Sequence, residues 1–576
     1  MQLHVLLMLL WLDPSACLSL GLGRFLRPTP KSSIACDEET EVVVVGGGLA
    51  GLSCAALLSQ AGHKVLVLES HDEIGGCAHG WARLGYSFES GPSLYSGFSQ
   101  PSSPNPLAAI FKIIGESPVW LTYDRWGTVL PEGRFASKIG PEEFNSVLQK
   151  HGGENAVKEW AVLINDLLKP DGTSQAAQAI SPLLLREDAG AILTLARNLK
   201  GLFLAVKQGQ ALNEPFSKIV ERLSIKDRFV LNWLDLLTFL LQGLPCEGTM
   251  SAVVAYMVSD WASPGAVLDF PKGGSSQIVE ALVRGIEKTG NRVLAAHHVE
   301  EIILSPEGDR AAGVRVRTRN GQTKTISATK AVVSNCDLAM TRKLIPPGKH
   351  AALDTYLDEL NAEVPLLESF IHLHAGIDAT GLPTSPTAEL PAQWAVVNTW
   401  EKKTPSSPGA AVEDPRNVVL VSVPSLLDPS LAPAGKHVLH AYVPATEKWS
   451  DWENLERGSE EYNLKKKEAA DFLWTAVEQY IPGARGRSDV RVEQIGTPKT
   501  HARFLRRNRG SYGPRLVAGS GMTLPSHKTP LEGLLTCGDF SFPGIGVPAA
   551  AASGAVTATS IMSVWSHIKL LQRAGL

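Results

Sequence analysis

Hydrophobic positions along the chain change period several times, and each change predicts an element. Glu41-Val42-Val43-Val44-Val45 is a short β-branched run, the pattern of a strand buried on both faces. It leads straight into Gly46-Gly47-Gly48-Leu49-Ala50-Gly51, after which Leu52, Ala55, Ala56, Leu57 and Leu58 take helical spacing. Val65-Leu66-Val67-Leu68 predicts a second strand that ends at Glu69. Together these form a strand–helix–strand unit of about thirty residues with GxGxxG at its first turn. Further on, Phe270 to Ser275 precedes an amphipathic helix through Ile278, Leu282 and Ile286. Arg292–Leu294 and His298–Ile302 read as strands, and Ala312–Val316 with the Asn320-Gly321 turn reads as a hairpin. Lys330–Asn335 closes this region as another strand, and Gly533 to Asp539 is a late strand running into Gly-Asp.

Two intervening stretches have a different character. Ile192 to Val206 and Phe229 to Leu244 are unusually apolar helices, which we read as a surface that dips into a bilayer without spanning it. Residues 403–409 are a Pro/Ser-rich loop, and Glu453 to Lys467 reads as a solvated charged helix. The pattern predicts an α/β fold: a Rossmann-like dinucleotide-binding domain from 37–120, 266–345 and 516–576. A discontinuous α+β substrate domain takes 121–265 and 346–515. Residues 1–36 stand apart. Leu3 to Leu12 are apolar but too few to cross a bilayer of ~30 Å, and small residues Ser15, Ala16 and Cys17 follow. The basic, acid-free stretch from Arg24 to Lys31 comes next, and the whole resembles the two-part plastid address of algae with secondary plastids.

Composition narrows the function classes. The 576 residues carry 54 basic and 58 acidic side chains, a net charge of −4, so nothing electrostatic favours nucleic acid. Mean hydropathy near zero (+0.01) suits a greasy ligand or a membrane surface as well as a large core. The seven cysteines form neither CxxC nor a Cys/His cluster, which gives no zinc site or disulfide framework and points to a thiol-reducing compartment. No metal ligands are assigned. Oligomeric state is not readable from the chain.

The chemistry sits in the glycines. In the GxGxxG turn Gly46 permits the tight bend, Gly48 lets backbone amides approach a diphosphate, and Gly51 lets helix and strand pack closely. The helix N-terminus adds about half a positive charge, and Glu69 can accept both hydroxyls of an adenosine ribose. FAD rather than NAD is expected, because a second glycine loop follows at Glu73-Ile74-Gly75-Gly76, and Gly85 to Gly91 comes after it. At the far end Gly538-Asp539 can hold a ribitol, Gly544 and Gly546 lead into an Ala/Gly-rich helix, and Ala549 to Ala552 allow close approach to the cofactor. That helix, starting near Val547, would point its positive end at the flavin pyrimidine. The backbone of Val299 suits the adenine edge. For catalysis Tyr512, in a glycine-flanked loop, is the candidate proton donor. His372 and His374 share one strand face, and Arg503, Arg506, Arg507 and Arg509 form a basic cluster best read as a solvated loop.

Beyond the flavin loops, the chain resembles the carotenoid isomerase branch of the flavin-dependent phytoene desaturase superfamily over residues 41–570. The resemblance rests on Ser369-Phe370-Ile371-His372-Leu373-His374 and on the stretch from Val423 to Pro433. It continues in Gly435 to Tyr442 and in Gly510-Ser511-Tyr512-Gly513-Pro514. It implies a plastid, membrane-associated enzyme that uses reduced FAD to isomerise a polyene, prolycopene to all-trans-lycopene being the type, with no net redox change. Gln393-Trp394 departs from the His-His pair usual there and removes two imidazoles that could carry protons. Hydration or tautomerisation of a xanthophyll, and desaturation or saturation of a carotenoid, therefore stay open. The fold is also similar to isoprenoid-binding proteins that extract prenylated GTPases, which would not be expected to keep the complete Gly538–Gly546 segment.

Overall fold

A computed structural model describes residues 34–91, 94–100, 103–403 and 410–576. The expected targeting segment falls, as far as residue 33, outside these described residues. Most of the Pro/Ser-rich loop does too.

The valine run forms the strand Glu38–Val45 at the middle of a seven-stranded sheet. It pairs in parallel with Val65–Leu68 on one side and Thr323–Ser334 on the other, and Arg292–Leu294 extends the sheet beyond Val65–Leu68. The long strand Thr323–Ser334 is shared. Its first half pairs antiparallel with Ala311–Arg317, and its end pairs in parallel with Leu534–Thr536. His298–Leu304 forms the outer edge beyond Ala311–Arg317. Because the central strands are parallel and in register, Val45, Leu68, Ser334 and Thr536 all end at one edge. Gly46, Glu69, Asn335 and Gly538 are thereby delivered side by side, the crevice at which doubly wound sheets bind ligands.

Helix Leu49–Gln60 is buried from Leu49 to Ser59, as a helix covered on two sides must be. The sheet lies against one side and helix Val547–Thr559 against the other. Their contact explains much of the Ala/Gly composition of the late helix: a Cβ on Gly554 would stand 2.2 Å from the Ala50 carbonyl oxygen. Ala551 and Ala552 are buried in that packing, while Ala550 lines the cavity described below. This core also takes in Ile180, Leu183–Leu185, Leu195 and Ala205, and the sheet's other face takes in Leu353 and Leu357 of helix Ala351–Glu363.

A second seven-stranded sheet runs Gln494–Gly496, Ser369–Asp378, Lys436–Glu447, Val418–Ser422, Gln393–Val397, Arg125–Leu130, Gly133–Lys138. All neighbours are antiparallel except Gln393–Val397 with Arg125–Leu130. One face (Ile371, Leu373, Trp394, Leu439, Ala441) packs on helix Glu460–Val477. That helix corrects the reading of Glu453–Lys467 as a solvated helix. It starts at Glu460, capped by Ser459, and Tyr462, Ala469, Leu473 and Trp474 are buried, because its apolar stripe lies beyond the charged stretch. Strand alternation turns Phe370, His372, His374, His440 and Tyr442 to the opposite face.

The two apolar helices diverge. Helix Arg228–Gln242 buries Phe229, Val230, Trp233, Leu234, Leu236, Leu237 and Phe239 in the second unit's core, which corrects its assignment to a bilayer-facing surface. The segment from Ile192 to Val206 breaks into the short helices Ala191–Leu195 and Leu199–Lys207 and keeps an exposed apolar stripe. Among the described residues no helix is long and apolar enough to cross a membrane.

Candidate active site

A cavity of about 320 Å³ is lined by residues of the sheet edge and of the second sheet. Gly46, Gly48, Glu69, Gly75, Gly76, Gly91, Val299, Tyr512, Gly538, Asp539 and Gly546 all line it. Of the residues expected to bind the cofactor, Gly51 and Gly544 do not.

At the sheet edge the two glycine loops are locked together. The Gly75 amide donates to the Gly47 carbonyl at 2.9 Å, and a Cβ on Gly76 would stand 3.1 Å from the Gly48 Cα. Glu69 is fixed by backbone: the Gly47 amide donates to Oε2 at 2.7 Å and the His71 amide to Oε1 at 2.8 Å. A carboxylate held this way still has lone pairs for ribose hydroxyls.

The residue that organises this end was not singled out from sequence. Asn335 Oδ1 accepts the Gly51 amide at 3.1 Å, and its Nδ2 donates to the Cys537 carbonyl at 3.1 Å, joining the first strand's turn to the last strand's. A Cβ on Gly48 or Gly51 would stand 2.8 or 2.9 Å from that oxygen, and one on Gly51 only 2.4 Å from the Gly46 carbonyl. Gly51 thus serves the cavity from behind, by allowing this packing. The signal visible in the sequence is the Asn that ends the apolar run Lys330–Asn335, directly after the strand Thr323–Ser334. Gly91 is demanded by backbone as well, since a Cβ there would meet the Cys77 carbonyl at 2.0 Å.

Further along, Asp539 meets Arg507 at 2.6 Å. Arg507 therefore corrects the reading of its cluster as a solvated loop: its side chain is only 15% exposed and also reaches the Tyr512 carbonyl at 3.4 Å. Burial opposes its charge, but Asp539, with Cys77 and Asp337 nearby, holds it above the ordinary guanidinium range. Arg503 and Arg509 do not line the cavity, whereas Arg506 does, donating to Ser70 Oγ at 2.9 Å.

The far end is made of uncharged side chains: Phe370, His372, Tyr442, Tyr512 and Ile545. The Tyr512 loop is tied to the residues leading into strand Ser369–Asp378, with the Tyr512 amide donating to the Glu368 carbonyl at 3.0 Å and the Leu367 amide to the Gly513 carbonyl at 2.9 Å. Burial raises the Tyr512 phenol to about 12, so it stays protonated. Behind His372 lies a layer of imidazoles. The His372 and His374 rings lie 3.8 Å apart between centroids, tilted by 31°, and His440 stands 5.3 Å from His374. Burial drives His372 and His440 well below the usual imidazole range and His374 to about 4, so all three are neutral near pH 7. His374 Nε2 bonds to the Glu89 carbonyl at 2.9 Å, whereas His372 Nε2 is buried without a hydrogen-bond partner. The carboxyl of Glu89 is buried too. Its Oε1 accepts the Ser275 amide at 2.6 Å, Oε2 has no partner, and burial lifts its ionisation to about 7. Gln393 and Trp394 do not line the cavity, and Trp394 points into the opposite core.

The cavity fits FAD. Two helix N-termini, at Gly48 and Gly546, open onto it with no side-chain cap and no acidic residue in the first turn, ready for a diphosphate at one end and for flavin negative charge at the other. Bare glycine backbone faces the space between, and Ser511 Oγ and Arg507 Nε are buried there without partners.

Comparison with known proteins agrees. The family described as flavin containing amine oxidoreductase matches residues 49–562. A chloroplastic prolycopene isomerase of an Oncidium hybrid cultivar is 27% identical, over 95% of this chain and 87% of its own. An all-trans-retinol 13,14-reductase of Danio rerio is 25% identical over 91% and 86%. Among solved structures, an oxidoreductase from Methanosarcina mazei superimposes with a TM-score of 0.58 at 19% identity, covering 89% of this chain and 98% of that one.

Proposed function

The chain belongs to the flavin containing amine oxidoreductase family, and from that premise we propose that it is an FAD-dependent enzyme of carotenoid biosynthesis that isomerises a polyene without net redox change. Bound FAD supplies the capacity to give and take electrons. Gly46, Gly48, Gly75, Gly76 and Gly91, which line the cavity, would offer it backbone, and Glu69 would hold the ribose, Val299 the adenine edge and Asp539 the ribitol. The observation that carries the substrate class is the uncharged far end. Phe370, Tyr442 and Ile545 offer a hydrocarbon chain apolar surface, and the neutral imidazole of His372 adds no charge to be desolvated. Tyr512 holds a proton on its phenol oxygen at the same wall, so a transient change in polyene bond order can be accompanied by proton donation and return. The likeness to prolycopene isomerases along nearly the whole chain supports this reading and a plastid location, with a membrane surface as the source of so apolar a substrate.

Saturation of a polyene double bond is the second reading, favoured by the likeness to retinol reductases. One experiment separates them. Purified protein is incubated anaerobically with reduced FAD and liposomal tetra-cis-lycopene, and product is followed by mass and by the cis-peak absorbance. Unchanged mass with altered absorbance supports isomerisation, a gain of two hydrogens means saturation, and a gain of water means hydration. No product despite bound flavin removes prolycopene as substrate.

A further inference from the structure

Among the described residues, five of the large apolar side chains left exposed fall in one short stretch: Ile192, Leu193, Leu199, Phe203 and Val206. Phe203 is 74% exposed. Ile192 and Leu193 are exposed on Ala191–Leu195, and Leu199, Phe203 and Val206, at i, i+4 and i+7, share the outward face of Leu199–Lys207. The inward stripe, Ala191, Leu195 and Ala205, is set into the core of the first sheet. These helices therefore cannot roll to hide the outer residues. Alongside lies the C-terminal helix Val564–Ala574, which exposes Trp565 by 67%. The two segments are fastened together: a Cβ on Gly190 would stand 3.0 Å from Val564 Cγ2, and Arg197 donates to the Leu576 carbonyl at 2.8 Å.

Charge says what covers this face. From Ala189 to Asn213 the chain carries Arg197, Lys200 and Lys207 and no acid, and from Ser541 to Leu576 it carries Lys569 and Arg573 and no acid. All five cations are exposed. The acids beside this stretch are already paired: Asp171 is bound to Lys207 at 2.7 Å, Asp188 to Arg186 at 2.6 Å and Glu187 to His527 at 3.2 Å. An apolar stripe bordered by cations, with a tryptophan at its margin, is matched by a lipid interface of acyl chains beneath anionic headgroups.

We propose that this face, Ile192–Val206 together with Trp565, is the docking surface of the protein on an anionic lipid bilayer. Phe203, Leu199 and Trp565 enter the acyl boundary, while Lys200, Lys207 and Lys569 meet the headgroups. The proposal gives a place to the membrane contact on which the substrate's source depends. Its test reads binding and not turnover, so its failure leaves the enzyme reading intact.

The experiment is flotation of the full chain with phosphatidylcholine vesicles, with and without phosphatidylglycerol. The protein is expected to float with the anionic vesicles, and Leu199→Ser with Phe203→Ser to cut the bound fraction ~10-fold at an unchanged melting temperature. Lys200→Gln with Lys569→Gln should remove the dependence on phosphatidylglycerol. Val490→Ser, at an exposed valine of the second unit, should bind as the parent does. Flotation of the double serine variant at the parent level overturns the proposal. So does a loss caused equally by Val490→Ser. A change of that double variant from dimer to monomer in sedimentation, with flotation unaltered, overturns it as well and makes the face a contact between copies.

Discussion

The two ends of the cavity are built in different ways. The Glu69 end is backbone: amides fix the carboxylate, two glycine loops interlock, and Asn335 clamps both turns. Nearly all of it lies within residues 46–76. The far end is side chains: Phe370, His372, Tyr442, Tyr512 and Ile545 arrive from four separate stretches of chain and leave no net charge. The contrast teaches that the part meeting an invariant cofactor is fixed by what the main chain can tolerate. The part meeting the reactant is a replaceable lining on a rigid sheet.

That contrast can be broken at either end. The largest effect is expected from Gly51→Ala, whose new Cβ collides with the Gly46 carbonyl. It should cost about 3 kcal/mol of stability and yield protein without flavin absorbance; a yellow, stable variant would refute the backbone account. Tyr512→Phe should leave flavin binding unchanged and lower turnover ~10²-fold, about 2.7 kcal/mol in the barrier. Equal loss of flavin would make Tyr512 part of the cofactor cradle instead.

Glu89→Gln probes the layer behind His372 through pH. The raised carboxyl is neutral in the fold and ionises near 7, against 4.5 unfolded, so it favours the fold fully below pH 4.5 and loses that contribution as pH rises through 7. The amide variant should be more stable than the parent at pH 8, by about 3 kcal/mol, and equal to it below pH 4.5, as read by thermal denaturation at both pH values. His374 works in the opposite sense. Its neutral form is favoured, so stability falls as pH drops from 6.5 through about 4. The smallest effect is expected from Gln393→His: because the side chain lies outside the cavity lining, turnover should stay within ~2-fold of the parent. A larger gain would return that position to the catalytic account.

The first sheet and its cofactor end were legible because their signals are local. A β-branched run, GxGxxG and a strand closing on Glu69 are contiguous, and the parallel pairing follows from them. Asn335 escaped notice because its meaning depends on two turns, one of them 284 residues distant along the chain. Arg507 looked like one arginine of a solvated loop until Asp539, from another element, proved to be its partner.

The sequence by itself determined the α/β class, the flavin-binding turns and the acid at the end of the second strand, since each depends on short-range spacing and on where only glycine fits. The tertiary structure decided which apolar helix is core and which is surface. Phe229–Leu244 and Ile192–Val206 are alike in composition, yet the first is buried against Trp126 and Val397 while the second keeps one stripe in the open. Hydrophobicity records only that a segment favours leaving water. What receives it is set by the neighbours the fold brings to it.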